Sequence, residues 1–178
     1  MNKAITIGLI GLLLFFGIQH GQQDTILEET EVVDYLSFTG TITEVRENSV
    51  LVQEKENEEN FMVFNTTEHV LLLDDSTKDT INADSFEVGQ EVTAFYPENA
   101  PMALSFPAIM TPDVLVRHSS EQAGFVHVAT FDETLTSSDG QLKIKPVASL
   151  AHKTLVVFYT TSTRSIPAQT TPQKIIVL

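Results

Sequence analysis

The sequence predicts an all-β fold built from two tandem β units, of which the second is the shorter. One phrase occurs twice, sixty positions apart: residues 105–112 read SFPAIMTP and residues 165–172 read SIPAQTTP. Each copy follows an apolar segment that ends in Phe-Tyr and precedes a segment rich in valine or isoleucine. Self-similarity at a fixed spacing indicates a repeated structural unit. Short apolar segments that alternate with polar turns are typical of β-strands.

The first unit is predicted over residues 38–118. Its strands are the apolar or alternating segments between polar turns, namely 40–45, 50–52, 61–64, 69–73 and 90–96. Ahead of the last strand, residues 82–89 combine a helix-capping asparagine, a short helical turn and a terminating glycine. Several strands with one short helix before the last predict a Greek-key barrel of the OB type.

The second unit is predicted over residues 119–178. Gly124 precedes an alternating strand, as Gly40 does in the first unit. Residues 137–140 read SSDG and predict a tight turn, because Asp-Gly readily takes the positive φ that such turns require. The apolar segments 142–144 and 155–158 are the next strands. This unit lacks the acidic turn and the helical stretch of the first, so we expect an abbreviated OB-like unit that packs on it.

Residues 1–22 are interpreted as a secretory signal peptide, since Lys3 precedes the apolar segment 4–18 and a polar flank follows. The apolar segment is shorter than the roughly 20 residues that an α-helix needs to cross a bilayer. The cleavage pattern is weak, so an uncleaved N-terminal anchor is the alternative. Residues 23–37 are expected to form an acidic linker, for which a first strand near 32–38 and a short helix are both open.

The formal net charge is -14, and the acidic residues lie mostly in the first unit. Residues 24–118 hold 20 acidic and 4 basic side chains, whereas residues 119–178 hold 4 acidic and 5 basic ones. The preferred interpretation of the acidic residues is a solvated surface. Lysine and arginine are too sparse to neutralise a phosphate backbone, so nucleic acid is not an expected partner. The sequence contains no cysteine, which excludes disulfides.

The repeated segments are the candidate binding loops. Proline lacks an amide donor and restricts the residue before it, so we expect extended crossings between strands and not interior ladder strands. Serine and threonine hydroxyls are expected to bond backbone groups at their ends. A packing role is the preferred interpretation and ligand binding the alternative. The candidate residues are Ser105, Pro107, Thr111, Pro112, Ser165, Pro167, Thr171 and Pro172.

No catalytic set, metal site or cofactor is predicted. Neither Ser105 nor Ser165 lies in a nucleophile elbow. The histidines considered as partners are His69, His118, His127 and His152. His127 alternates with valines and is expected on the solvent face of its strand. Residues 74–84 are oxygen-rich and are expected to form a polar turn, with a weak calcium site as the alternative.

The strand ending in Phe-Tyr, the Ser-Φ-Pro-x-x-x-Thr-Pro segment and the next Val/Ile-rich strand resemble a module of secreted surface proteins of the Bacillus and Clostridium type. Such modules often lie beside segments described as copper amine oxidase N-terminal-like or stalk domains, which this chain lacks. The resemblance covers residues 40–178 and implies an OB-like, non-catalytic, extracytoplasmic surface module. The description of the neighbouring segments does not imply copper or oxidase chemistry.

We therefore expect a secreted, non-enzymatic module that binds a cell-surface or extracellular protein or polysaccharide. The alternative is a secreted inhibitor of an extracellular protease or other enzyme, since stiff proline loops on a small β scaffold suit a protease cleft. Membrane contact is expected only through residues 1–22, should they stay uncleaved.

Overall fold

The computed structural model describes residues 32–119, 124–145 and 148–178, and the predicted signal segment lies outside them. The all-β prediction is confirmed. In order, the strands are β1 (Tyr35–Arg46), β2 (Ser49–Glu54), β3 (Phe61–Asn65), β4 (Leu71–Asp74), β5 (Glu91–Pro97), β6 (Met102–Ala103), β7 (Ala108–Met110), β8 (Val114–His118), β9 (Phe125–Phe131), β10 (Leu142–Ile144), β11 (Lys153–Tyr159), β12 (Ala168–Thr170) and β13 (Lys174–Val177). In these three ranges, no helix has the length and apolar character needed to span a membrane.

Helical structure in the described residues is limited to two short 3-10 turns. The first, Ala83–Ser85, falls where the sequence predicts a helical turn, although the Asn82 side chain makes no capping hydrogen bond. The second, Ala148–Leu150, lies before β11 and was not predicted from the sequence. The chain enters β1 at Tyr35, inside the segment 23–37 that the sequence predicts as a linker.

The first unit forms a ring of strands around one core. The first half of β1 pairs antiparallel with β5, and its second half pairs with β2, which continues to β3. β3 pairs in parallel with β7, and β5 pairs antiparallel with β8. Only residues 111–113 separate β7 from β8. The ring is therefore closed by this covalent connection between β7 and β8. β4 lies outside this ring, in parallel with β8.

The second unit has the same connectivity with fewer strands. β9 pairs with β11 and β11 with β13, all antiparallel, while β10 pairs in parallel with β12. Where the first unit has β2, the second has only isolated bridges, Phe131 with Ser137 and Thr136 with Lys143. The strand equivalent to β4 is missing in the described part of this unit.

Three hydrophobic clusters hold the described chain together. The first core fills the first unit and includes Ile42, Phe64 and Leu115, and the second core fills the second unit and includes Phe131, Leu155 and Val157. The joint core lies between the units and consists of Leu73, Phe95, Val114, Val116, Val128, Val156 and Phe158. Because neighbouring side chains on a strand point to opposite faces, β5, β8 and β11 are buried on both sides.

Two expectations about the repeated segments and glycines are wrong. Residues 108–110 and 168–170 are not strandless crossings, because the prolines remove amide donors only at their own positions and leave the residues between them free to pair. Gly40 also does not correspond to Gly124. Gly40 lies in the middle of β1, where the strand turns from β5 to β2, whereas Gly124 precedes β9.

Gly40→Ala is expected to lower the free energy of unfolding by about 1–3 kcal/mol, as overpacking does. A Cβ atom at this position would lie 2.0 Å from the Gln53 carbonyl oxygen, a backbone atom that cannot rotate away. Urea unfolding measures the loss. Ser37→Ala is the control, an exposed position of the same strand, and should change stability by less than about 0.5 kcal/mol. Equal effects of the two substitutions would contradict the close approach.

Candidate functional site

The repeated segments form two hairpins with the same backbone connections. The first hairpin spans Met102–Met110, with Met102 opposite Met110 and Ala103 opposite Ile109. The second hairpin spans Ser162–Thr170, where Ser162 bridges Thr170 and the Thr163 amide donates to the Gln169 carbonyl at 2.9 Å. The peptide bonds Phe106–Pro107 and Ile166–Pro167 are both cis. The two hairpins therefore match pair by pair at an offset of sixty residues.

The bases of the hairpins are anchored in the same way. The Asp113 amide donates to the Phe95 carbonyl at 3.1 Å, and the Gln173 amide donates to the Phe158 carbonyl at 2.7 Å. Residues 101–111 and 161–171 also follow the same sequence of exposed, half-buried and buried positions. At the first base the Tyr35 hydroxyl donates to the Asp113 carboxylate at 2.5 Å. Burial, with that carboxylate, raises the pKa of Tyr35.

Most of the predicted site residues build this frame. Ser105 donates through its hydroxyl to the Pro107 carbonyl at 2.7 Å, and Ser165 does the same to Pro167 at 2.8 Å. Pro107 and Pro167 are half-buried. The serine hydroxyl protons are therefore used inside the loops, and these residues fix the loop shape.

The remaining predicted residues lie where each hairpin returns to its unit. Pro112 is buried and Pro172 is half-buried, whereas Thr111 and Thr171 are exposed. Thr111 accepts a hydrogen bond from the Asn65 side-chain amide at 2.9 Å. Thr171 lines an open groove beside the second hairpin. Of the eight predicted residues, the two threonines thus combine exposure with a free face toward solvent.

The residues best placed to contact a partner are ones that the sequence prediction missed. Phe106 is 87% exposed and Ile166 is 90% exposed, each between the serine and the proline of its segment. Leu104 is fully exposed on the first hairpin, and Arg164 is exposed at the matching position of the second. The positions at which the two copies are identical fix the backbone of the hairpins, so identity between the copies does not mark the exposed residues. The sequence feature that does mark them is an apolar residue directly before a loop proline.

The two hairpins carry different surface chemistry on one frame. Around the first, Met102, Leu104, Phe106 and Ile109 are exposed apolar side chains. Around the second, residues 161–165 are all polar and include Arg164. The inner strands differ too. Val63 lies opposite Ile109 in the β3–β7 pair, whereas Lys143 lies opposite Gln169 at the matching place in the β10–β12 pair. The first hairpin therefore presents an apolar surface, whereas the second presents polar residues around one exposed apolar side chain, Ile166.

Histidine and carboxylate side chains do meet elsewhere in the first unit, at His118. Its Nδ1 lies 2.7 Å from Asp75 Oδ2 and its Nε2 lies 2.8 Å from Thr93 Oγ1. This order of carboxylate, imidazole and hydroxyl is the one used in nucleophilic catalysis. Thr93 is buried, however, and its hydroxyl also lies 2.8 Å from Thr39 Oγ1, so it has no open side for a substrate. We interpret the chain of bonds as a link among β1, β5 and β8.

The acidic residues at the end of β4 pair with the end of β8. Asp74 accepts hydrogen bonds from Arg117 Nε at 2.9 Å and Nη2 at 2.7 Å, as well as from the amides of Ser76 and Thr77. Burial alone would raise the pKa of Asp74, but these bonds together with the Ser76 and Ser119 hydroxyls outweigh it and hold that pKa well below its usual range. Throughout the described ranges no three His, Asp or Glu side chains are grouped to hold a metal ion.

His127 does not lie on a solvent face, so that expectation is wrong. Its side chain is mostly buried and meets Phe131 edge-on, with ring centroids 6.5 Å apart. Nε2 lies 3.3 Å from Asp139 Oδ2 at an angle that makes no hydrogen bond. Burial lowers the pKa of His127, and Asp139 opposes that effect. The alternation of β9 places His127 on the side of the second core, because the valines on either side face the joint core.

Comparison of the chain with protein-family models, with curated proteins and with solved structures finds no match. The resemblance to secreted surface modules therefore stays a prediction.

Proposed function

We propose that this chain is a secreted, non-enzymatic module of the cell surface or extracellular matrix, which binds an extracellular protein or polysaccharide through its two hairpins. The observation that carries the proposal is that Phe106 and Ile166 project almost fully into solvent from loops held at both ends by hydrogen bonds. Exposed apolar side chains on a fixed loop lose little conformational freedom on binding, which favours affinity. A few anchor side chains that fill pockets carry most of the energy in protein interfaces, and Phe106 and Ile166 are placed to act as such anchors.

The position of the hairpins in the fold supports the same proposal. The ring β1–β2–β3–β7/β8–β5 follows the strand order of an OB-type barrel, and the shared connectivity supports a duplicated unit. In OB-type barrels the loop before the last strand takes part in ligand binding, including binding of oligosaccharides. On our proposal that both units are OB-like, each hairpin corresponds to that loop. The apolar leader, residues 4–18, supports the proposed secretion.

A capture experiment tests the proposal. The immobilised full chain is incubated with cell-envelope fractions, and the retained protein and polysaccharide are measured. The double variant Phe106→Ala, Ile166→Ala should retain about tenfold less, because removing two contact side chains costs more than about 1 kcal/mol. Val88→Ala, an exposed apolar residue outside both hairpins, is the matched control and should retain as much as the wild type. Undiminished capture by the double variant would contradict binding through the hairpins.

The first hairpin also favours a second candidate, a secreted inhibitor of an extracellular protease. It presents Leu104 and Phe106, two exposed apolar side chains on one anchored loop that a specificity pocket could accept. Incubation with proteases secreted by the same host separates the two functions. Tight inhibition that Phe106→Ala abolishes would support this candidate, and steady cleavage without inhibition would exclude it.

A further inference from the structure

The second hairpin and β10 border an open groove of about 480 Å³. Its polar lining includes Lys143, Lys145, Thr161, Thr163, Gln169 and Thr171. Lys143 and Gln169 lie opposite each other in the two-stranded sheet of β10 and β12, and the other polar residues border the groove beside it.

The alternation of β10 explains why Lys143 faces this groove. Leu142 and Ile144 are buried in the second core, so Lys143 points to the opposite side. Lys145 follows the strand, is exposed and lines the same groove. Gln169 lies opposite Lys143 in the parallel pair with β12, which places its amide on the same outer side. The groove is therefore lined by two lysines beside neutral polar groups.

The lysines of the groove are not used in ion pairs within the described part of the chain. Among residues 32–119, 124–145 and 148–178, no salt bridge involves Lys143, Lys145 or Arg164. The Asp132 carboxylate is near enough to interact electrostatically with Lys143, without direct contact. By contrast, Lys174 pairs with Asp79 at 2.8 Å and Lys55 with Glu91 at 2.7 Å. Two cations available in so acidic a chain indicate a local preference for anions.

We propose that this groove binds an anionic polysaccharide, an inference that rests on the proposed function as a binding module and names the ligand class of its second hairpin. Lys143 and Lys145 would pair with carboxylate or phosphate groups on the polymer, and the threonine and glutamine side chains would bond its sugar hydroxyls. Acidic residues farther than about 8 Å from the groove oppose this only weakly, because charges at that distance are largely screened at physiological salt. At the matching positions the first unit has Val63, which is buried, in place of Lys143 and Asn65 in place of Lys145, so it lacks the two cations and would not bind such a polymer.

The test measures binding of the full chain to four immobilised polymers. Polygalacturonate carries carboxylates on sugars, phosphomannan carries phosphates on sugars, dextran is a neutral glycan, and polyglutamate is a polyanion without sugars. We expect binding to polygalacturonate, to phosphomannan or to both, weakening with added salt, and none to dextran. The responding polymer identifies the anion. Equal binding to polyglutamate would overturn the assignment to a polysaccharide, and binding to none of the polymers would overturn the site.

Matched variants locate the site. Lys143→Gln with Lys145→Gln should weaken binding at least tenfold, whereas Lys55→Gln with Lys153→Gln removes the same charge elsewhere and should weaken it less than twofold. Equal losses of binding in the two double variants would mean that binding depends on net charge alone. That result would overturn the assignment of the groove as the binding site. The proposed function is tested separately by envelope capture. If the immobilised chain captures envelope material but binds none of these polymers, the assignment of an anionic polysaccharide is refuted and the proposed function is not.

Discussion

Phe158→Ala is expected to lower the free energy of unfolding by about 3–5 kcal/mol, the usual cost of removing a buried aromatic ring. Phe158 is 1% exposed and lies in the joint core together with Phe95 and Val114 of the first unit. Small domains are stable by only about 5–15 kcal/mol, so the loss is a large fraction of the total. Because the joint core belongs to both units, the substitution should weaken both together.

Chemical denaturation followed by circular dichroism and by tyrosine fluorescence measures this effect. The wild type should unfold in one transition with both probes, since the units share a core. Phe106→Ala is the matched control, the same substitution at an exposed position, and should change stability by less than about 0.5 kcal/mol. Two separate transitions in the wild type, or equal losses in the two variants, would contradict the joint core.

Asp74→Ala is expected to cost about 3–5 kcal/mol, because it leaves a mostly buried guanidinium without its carboxylate. Asp74 is 2% exposed, and Arg117, its partner, also donates from Nη1 to the Ser85 carbonyl at 2.8 Å. The substitution also removes the acceptor for the Ser76 and Thr77 amides. Urea unfolding at neutral pH measures the loss. Glu91→Gln breaks the exposed pair with Lys55 and should cost less than about 1 kcal/mol.

The same carboxylate makes stability depend on pH in a defined direction. The pKa of Asp74 is lower in the folded chain than the value of about 3.9 expected when unfolded. A lowered folded pKa contributes stability that is fully present above the unfolded pKa and is lost as the pH falls through the folded pKa. The advantage of the wild type over Asp74→Asn should therefore be constant from pH 7 to about pH 5 and shrink below about pH 4. An advantage that grows on acidification would contradict this assignment.

Local sequence patterns were sufficient to predict several strands of the first unit, although not β6 and β7. The apolar segment 50–52 lies in β2, and the apolar segment 61–64 lies in β3. Segments 90–96 and 155–158 were predicted as strands, but the local pattern of apolar residues could not show which part of the molecule covers each side of them. In each of these strands, the side that faces away from the core of its own unit is covered by the other unit in the joint core. That packing depends on contacts between residues far apart in sequence.

The sequence predicted where the two hairpins lie in the chain, but it did not predict which of their side chains are exposed. The repeated serines and prolines marked both hairpins, but identity between copies follows the backbone frame, and surface residues such as Phe106 and Arg164 vary between them. Asp74 was interpreted as part of a polar turn because its partner Arg117 is 43 positions away in the chain. No local pattern records a pairing of that kind. His127 was misplaced for the same reason, since Phe131 and Asp139 enclose it only in the folded unit.

Amide hydrogen exchange of the full chain, with and without saturating cell-envelope material, tests binding through the two hairpins most directly. We predict slower exchange in the bound chain at residues 102–110 and 162–170 and along β10, with little change in the turn between β1 and β2. Protection confined to other strands, or no protection although material is bound, would contradict the assignment of these hairpins as the binding surface.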